Sequence, residues 1–358
     1  MDIHISGIKN HFFHTNNTTH KNQTTQPNQT NQPTHKNQTN QINQTKIVDY
    51  CFYSINEANI SNKIKKIPYY SNYYSIVTSY DFINISNINE RIVKLLDENK
   101  KYMIFTYKSQ GLSKTFDEFL HDYKKLKLLI LHSISTFSYL LQSLLQLQQQ
   151  NLCFFQLSHE NIIFNSECRE KPILQNFKLS LQVSKLNETY ITQIIKKTKD
   201  YSLKPLEVHV LFYLIENDLH TISYSFIEEI VEVFTRNLSI LSFFSQSYRE
   251  NYQIACVNSL KKYMNKPKSE IILDILLNYH DKWDVYSISL LYLHVFTNIS
   301  KEFSLKQTFM NKISIELAKN IHPDPSKRGT LAELLQTHEN FMNCDWSFLT
   351  SSTSASSS

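Results

Sequence analysis

The chain has 358 residues, 41% hydrophobic and 19% charged, with 37 Lys and Arg against 32 Asp and Glu for a formal net charge of +5. That length allows one large or two ordinary domains and buries roughly 70–75% of the unfolded surface, while so mild a charge excess gives no electrostatic footprint for nucleic acid. Glycine excludes more: with only Gly7, Gly111 and Gly329 in the sequence, no glycine-rich loop can bring backbone N–H groups up to a phosphate chain, and the usual nucleotide clamps are ruled out.

Residues 1–45 read as a disordered segment. Asn-Gln-Thr recurs at 22–24, 28–30, 37–39 and 43–45, and Ile42 is the only large apolar residue between 15 and 45, so ordering this stretch has nothing to offset its entropy. His4, His11, His14, His20 and His35 are irregularly spaced without acidic or thiol partners and read as a solvated tail. No basic stretch followed by an apolar core opens the chain, so no signal peptide is read. Cys51, Cys153, Cys168, Cys256 and Cys344 are scattered and odd in number, which fits a reducing compartment without disulfides or zinc.

From Lys46 the pattern turns globular. Tyr69 to Ile85 and Tyr102 to Tyr107 read as strands. Ile130, Ile134, Phe137, Leu141 and Leu144 mark one face of a helix. Its apolar span, Leu128 to Leu147, carries His132, two glutamines and four serines and reads as a core helix, not a membrane span. A polar loop at 158–161 precedes strands at 162–164 and around Ile173 to Leu179. Phe226, Ile230, Phe234, Leu238 and Leu241 again have helical spacing, as do Val285, Ile288, Leu291 and Val295. Strands followed by helices imply an α+β chain in two lobes. Ser351 to Ser358 form a second low-complexity tail.

Five segments then appear in a telling order: Glu160-Asn161-Ile162-Ile163-Phe164; Asn176-Phe177-Lys178, fifteen residues on from Asn161; Pro205-Leu206-Glu207; Trp283-Asp284-Val285-Tyr286-Ser287; and Asp324-Pro325-Ser326-Lys327-Arg328-Gly329-Thr330 with Glu333-Leu334-Leu335. Over roughly residues 46–349 the chain resembles the protein kinase superfamily, and its pattern looks most like the divergent kinase-like proteins of large DNA viruses. The five segments resemble the end of the catalytic loop, the Asp-Phe-Gly motif, the Ala-Pro-Glu motif, the start of the buried central helix and the last conserved segment. The resemblance implies a bilobal fold with a reduced N-lobe at 46–110, a C-lobe at 111–349 with a helical insert at about 208–282, and a disordered tail at 350–358.

Carried over residue by residue, the resemblance puts Gln156 where the family has its catalytic Asp, and a carboxamide is a negligible base near neutral pH. Asn161 matches one metal ligand, and Asn176 replaces the metal-binding Asp with a neutral amide. Val48 to Tyr53, read as the lysine-bearing strand, has no lysine. Lys46 is the substitute, with Glu57 as its helix partner, and Phe105, Thr106 and Tyr107 fall at the adenine-facing hinge. The architectural positions are kept. Phe154 and Phe177 match members of the hydrophobic spine, Asp284 the acid that holds the catalytic loop, and Glu207 with Arg328 the ion pair that ties down the activation segment.

A scaffold kept and a chemistry lost imply a pseudokinase that works by binding or regulating a partner protein, in the cytoplasm (host cytoplasm or virion, if viral), with neither nucleic acid nor membrane as partner. The alternative is a divergent active Ser/Thr kinase drawing its base and metal ligands from elsewhere, for instance Glu160, Glu167 or Asp49. A third reading is a structural or virion-associated protein. No cofactor is assigned; ATP and Mg²⁺ enter only as what the family uses.

Overall fold

A computed structural model describes residues 3–5, 43–83, 96–97, 99–123, 125–165, 171–198, 203–302 and 309–351. The fold is mixed α+β, with small antiparallel sheets toward the N-terminal end and helices beyond. The first sheet contains β1 (Ile3–Ile5), β2 (Asn43–Asp49), β3 (Val77–Ile83) and β4 (Tyr102–Lys108) in the order β1-β2-β4-β3. Within the stretch read as a disordered segment, residues 3–5 and 43–45 pair into this sheet; polar Asn43, Gln44 and Thr45 are held by pairing with Lys108, Tyr107 and Thr106. For the same reason Lys46 lies inside the strand, opposite Phe105. The strand stops at Asp49 because Cys51 starts α1 (Phe52–Ile64), its amide donating to Ser54 Oγ at 3.0 Å.

β4 is central and paired on both sides, by Lys46 and Tyr80 at Phe105 and by Thr45 and Ser79 at Thr106. The backbone of Phe105, Thr106 and Tyr107 is therefore committed to the ladder, and the connection to the rest of the chain begins at 109, beyond the hinge read from the sequence. Gly111 turns that connection with φ +67, a left-handed value suited to a residue without Cβ. The strand expected over Tyr69 to Ile85 is shorter: Tyr70–Asn72 form a 3-10 turn, after which β3 begins.

β5 (Ser113–Thr115) leads into α2 (Phe116–His121), where Thr115 and Glu118 form a reciprocal cap. α3 (Leu126–Gln149) follows; it is the one helix among the described residues long and apolar enough to cross a membrane, and Ile134, Phe137, Leu140, Leu141 and Leu144 on it are fully buried in the main core. β6 (Leu152–Cys153), β7 (Ile162–Asn165), β8 (Pro172–Leu174) and β9 (Leu181–Gln182) form two small sheets, β5-β7-β8 and β6-β9. The strand expected to Leu179 breaks after Leu174, because Asn176 adopts φ 66 and starts a 3-10 turn at Phe177–Leu179.

The helical part contains α4 (Glu188–Lys197), α5 (Leu206–Glu216), α6 (Tyr224–Asn237), α7 (Gln246–Leu260), α8 (Lys268–Asn278), α9 (Trp283–Glu302), α10 (Phe309–Asn320) and α11 (Leu331–Ser351). α9 packs on α3 through Phe137 and Tyr292, whose ring centres are 4.6 Å apart. The stretch at 208–282 shares this core: Ile227, Ile230 and Phe234 of α6 and Ile271 and Ile275 of α8 belong to the same buried cluster. A second, smaller cluster of Val48, Ala58, Val77, Met103 and Phe105 sits under the first sheet.

Candidate functional site

The loop between β6 and β7 is built around one carboxylate. Asp284, in the first turn of α9, accepts the amides of Phe154 (2.7 Å) and Phe155 (2.9 Å). Phe155 has a left-handed φ of 61, a strained value for a residue with a side chain, and the carboxylate clamp holds it there. Burial pushes the Asp284 carboxyl above the usual carboxylate range, against the opposing pull of the two amides and of Lys204 and Cys153. Lys204 is buried beside it, donating to the Phe155 carbonyl and lying over the Phe155 ring at 4.4 Å.

The clamp presents Gln156 at the mouth of a cavity of about 1020 Å³. Gln156 Oε1 is buried and has no hydrogen-bond partner among the described residues. Asn161 is turned back on its own loop, donating to the Gln156 carbonyl at 2.7 Å and to Ser158 Oγ at 3.2 Å. Asn176 donates to Asn161 Oδ1 at 3.0 Å. The two amides thus spend facing atoms on each other. Mg²⁺ is held by carboxylates and oxygens arranged octahedrally, so this donor set does not fit it, and no step is routed through a metal. Among the described residues no group of three or more His, Cys, Asp and Glu converges as a metal site.

Phe154 and Phe177 are fully buried, 5.2 Å apart and edge-on, with Tyr74 on the far side of Phe177 at 6.0 Å. Glu207 and Arg328, 2% and 3% exposed, form two parallel bonds of 2.7 and 2.9 Å. Two further donors of Arg328 reach the carbonyls of His322 and Pro323, and its guanidinium lies 4.9 Å from the Tyr286 ring centre. Glu57 is buried on α1 and accepts from the Tyr107 hydroxyl at 3.3 Å.

Of the alternative acids, Glu160 lines the cavity, Asp49 pairs with Lys100 at 3.7 Å, and Glu167 lies outside the described residues. Sequence reasoning missed three participants. Asp117 sits 2.8 Å from His159 Nδ1 at the cavity edge, and no spacing announces a pair 42 residues apart. His294 also lines the cavity, its imidazole held below the usual range by burial and then by His159 and Lys301. Asn56 of α1 donates to the carbonyls of Lys178 (3.1 Å) and Ser180 (2.9 Å) and accepts from Gln182 and Tyr190, so all four of its hydrogen-bonding positions are used. No protein-family model matches the chain, and no curated protein matches it either.

Proposed function

We propose that the chain is a degenerate protein-kinase-like protein that works by binding another protein and does not transfer phosphate. On this reading the sheet β1–β4 with α1 is a small lobe, α2 to α11 form a large one, and the cavity lies beside the remnant of the catalytic loop. One observation carries it: the Asp284 carboxylate clamps the amides of a loop whose base position holds Gln156, a group with no charge and no proton affinity near neutral pH. The loop's architecture is kept at the cost of a buried acid, while the group that would orient a substrate hydroxyl is gone.

The test is a γ-phosphate transfer assay on the full chain with Mg²⁺ and Mn²⁺, in parallel with thermal shift against ATP. No transfer above background is expected, and the double change Gln156→Asp with Asn176→Asp does not restore it, because the glycine-rich phosphate loop is missing as well. Autophosphorylation by the wild type, abolished by Asn161→Ala, would overturn the reading. A second reading, a divergent active Ser/Thr kinase, draws on the Asp117–His159 pair lining the cavity, in which an imidazole beside a carboxylate would serve as the base. It requires that His159→Ala abolish transfer.

A further inference from the structure

The net charge of +5 is not spread evenly. Residues 52–66 and 176–198 carry seven lysines and two glutamates, an excess that equals the net charge of the whole chain. The fold brings these two stretches together, because Asn56 of α1 is bonded to the carbonyls of Lys178 and Ser180. Glu57 is turned inward against Tyr107, and Glu188 lines a separate shallow depression with Lys196. Lys63, Lys66, Lys178, Lys185 and Lys197 are left. Among the described residues none of them has an acidic partner within 4.0 Å. Lys63 feels the crowding: burial, then the like charges of Lys185 and Lys66, hold its ammonium below the usual range. Lys178 and Lys197 line the cavity of about 1020 Å³ together with Gln156.

We infer that this lysine face, together with the cavity it borders, is a docking site for an acidic segment of a partner protein. Five ammonium groups without an acidic partner, drawn from two separate stretches of chain, ask for an anionic ligand. A run of carboxylates on a peptide supplies that charge at the spacing of side chains. The inference names the partner's chemistry for the protein-binding reading above and rests on it, but the two assays fail independently: phosphotransfer tests the lost base, and peptide binding tests the lysine face.

The experiment is fluorescence anisotropy of a labelled oligoglutamate peptide with the full chain, at about 50 and about 200 mM NaCl, a span over which screening becomes strong. Binding at low salt that weakens about tenfold at high salt is expected, and Lys63→Glu with Lys185→Glu weakens the low-salt binding by a further tenfold or about that. Lys127→Glu with Lys261→Glu makes the same change in net charge at exposed positions elsewhere and leaves binding within about twofold. These lysines hold no fold-determining contact, and a thermal melt of each variant checks that; Lys63→Gln with Lys185→Gln gives the same direction at smaller size. Equal loss in both charge-reversed pairs, tighter binding of a single-stranded DNA of equal charge, or no peptide binding at low salt overturns the inference.

Discussion

Arg328 uses four of its five N–H donors, two on Glu207 and one each on the His322 and Pro323 carbonyls, and sets a tyrosine ring against its face. Removing it leaves a carboxylate 2% exposed without a counter-charge, a loss of about 3–5 kcal/mol. Arg328→Ala is therefore expected to lower the urea midpoint sharply, and Glu207→Leu with Arg328→Met to cost less than Arg328→Ala alone, since the desolvation penalty goes with the pair. His338 makes a pH-dependent contribution. It is buried against Ser138 Oγ at 2.6 Å, and burial holds its imidazole down to about 4. Between pH 6.5 and about 4 the unfolded chain takes up a proton that the folded chain refuses. Stability is therefore full above that window and falls as pH drops through it, by up to about 3 kcal/mol from this residue. His294 and His322 are shifted the same way and add to the decline. Urea midpoints across that range are expected to fall less steeply in His338→Leu than in the wild type.

Among elements, α1 is tied to the rest by a polar residue as well as by Ile60 and Ile64, which are buried in the main core. Asn56 links it to the 3-10 turn at 177–179, to β9 and, through Tyr190, to α4. Asn56→Ala strands two carbonyl acceptors and two donors in the interior, which costs at least about 2 kcal/mol; faster hydrogen exchange at 178–182 would report the loosened seam. Nothing in the sequence marks Asn56, because its four partners come from four separate positions along the chain. The long helices were legible for the opposite reason: α3 and α6 each bury a regular stripe, and burial writes itself into the spacing of apolar residues, while α9 is buried on every face over 283–293 and reads as a long apolar run. Leu238 and Leu241 continue the α6 rhythm but lie beyond its end, Leu238 as its cap and Leu241 in the 3-10 turn Ser239–Phe243. The strands were less legible. β2 begins with Asn43, Gln44 and Thr45, held by backbone pairing that no side-chain pattern records, so the place of Lys46 within it could not be read. At the site, Asp284, Glu207 and Arg328 stood out through their motifs, whereas the Asp117–His159 contact depends on how α2 meets the loop after Gln156.

At the scale of the whole molecule, burial is uneven. One large apolar cluster runs from α1 through α3 and α9 to α11, while the sheet β1–β4 rests on a separate set of five residues. Opening the sheet exposes far less apolar surface than opening the helical core, so it should open at lower free energy. Native-state hydrogen exchange is expected to give lower opening free energies for the amides of β2, β3 and β4 than for those of α3 and α9. Equal values throughout would mean that the sheet and helices form one cooperative unit.

The two buried carboxylates also impose an order of events on the ribosome. Glu207 meets its guanidinium 121 residues later in the chain, and the amides of Phe154 and Phe155 wait 130 and 129 residues for their acceptor. At a synthesis rate of about 5–20 residues per second, the first of these gaps alone lasts roughly 6–24 s. Throughout that interval the emerging middle of the polypeptide carries an acid that it cannot yet bury without penalty. Completion of the interior is thereby reserved for chains translated past Arg328, and a product terminated before it is left open to chaperones and proteases.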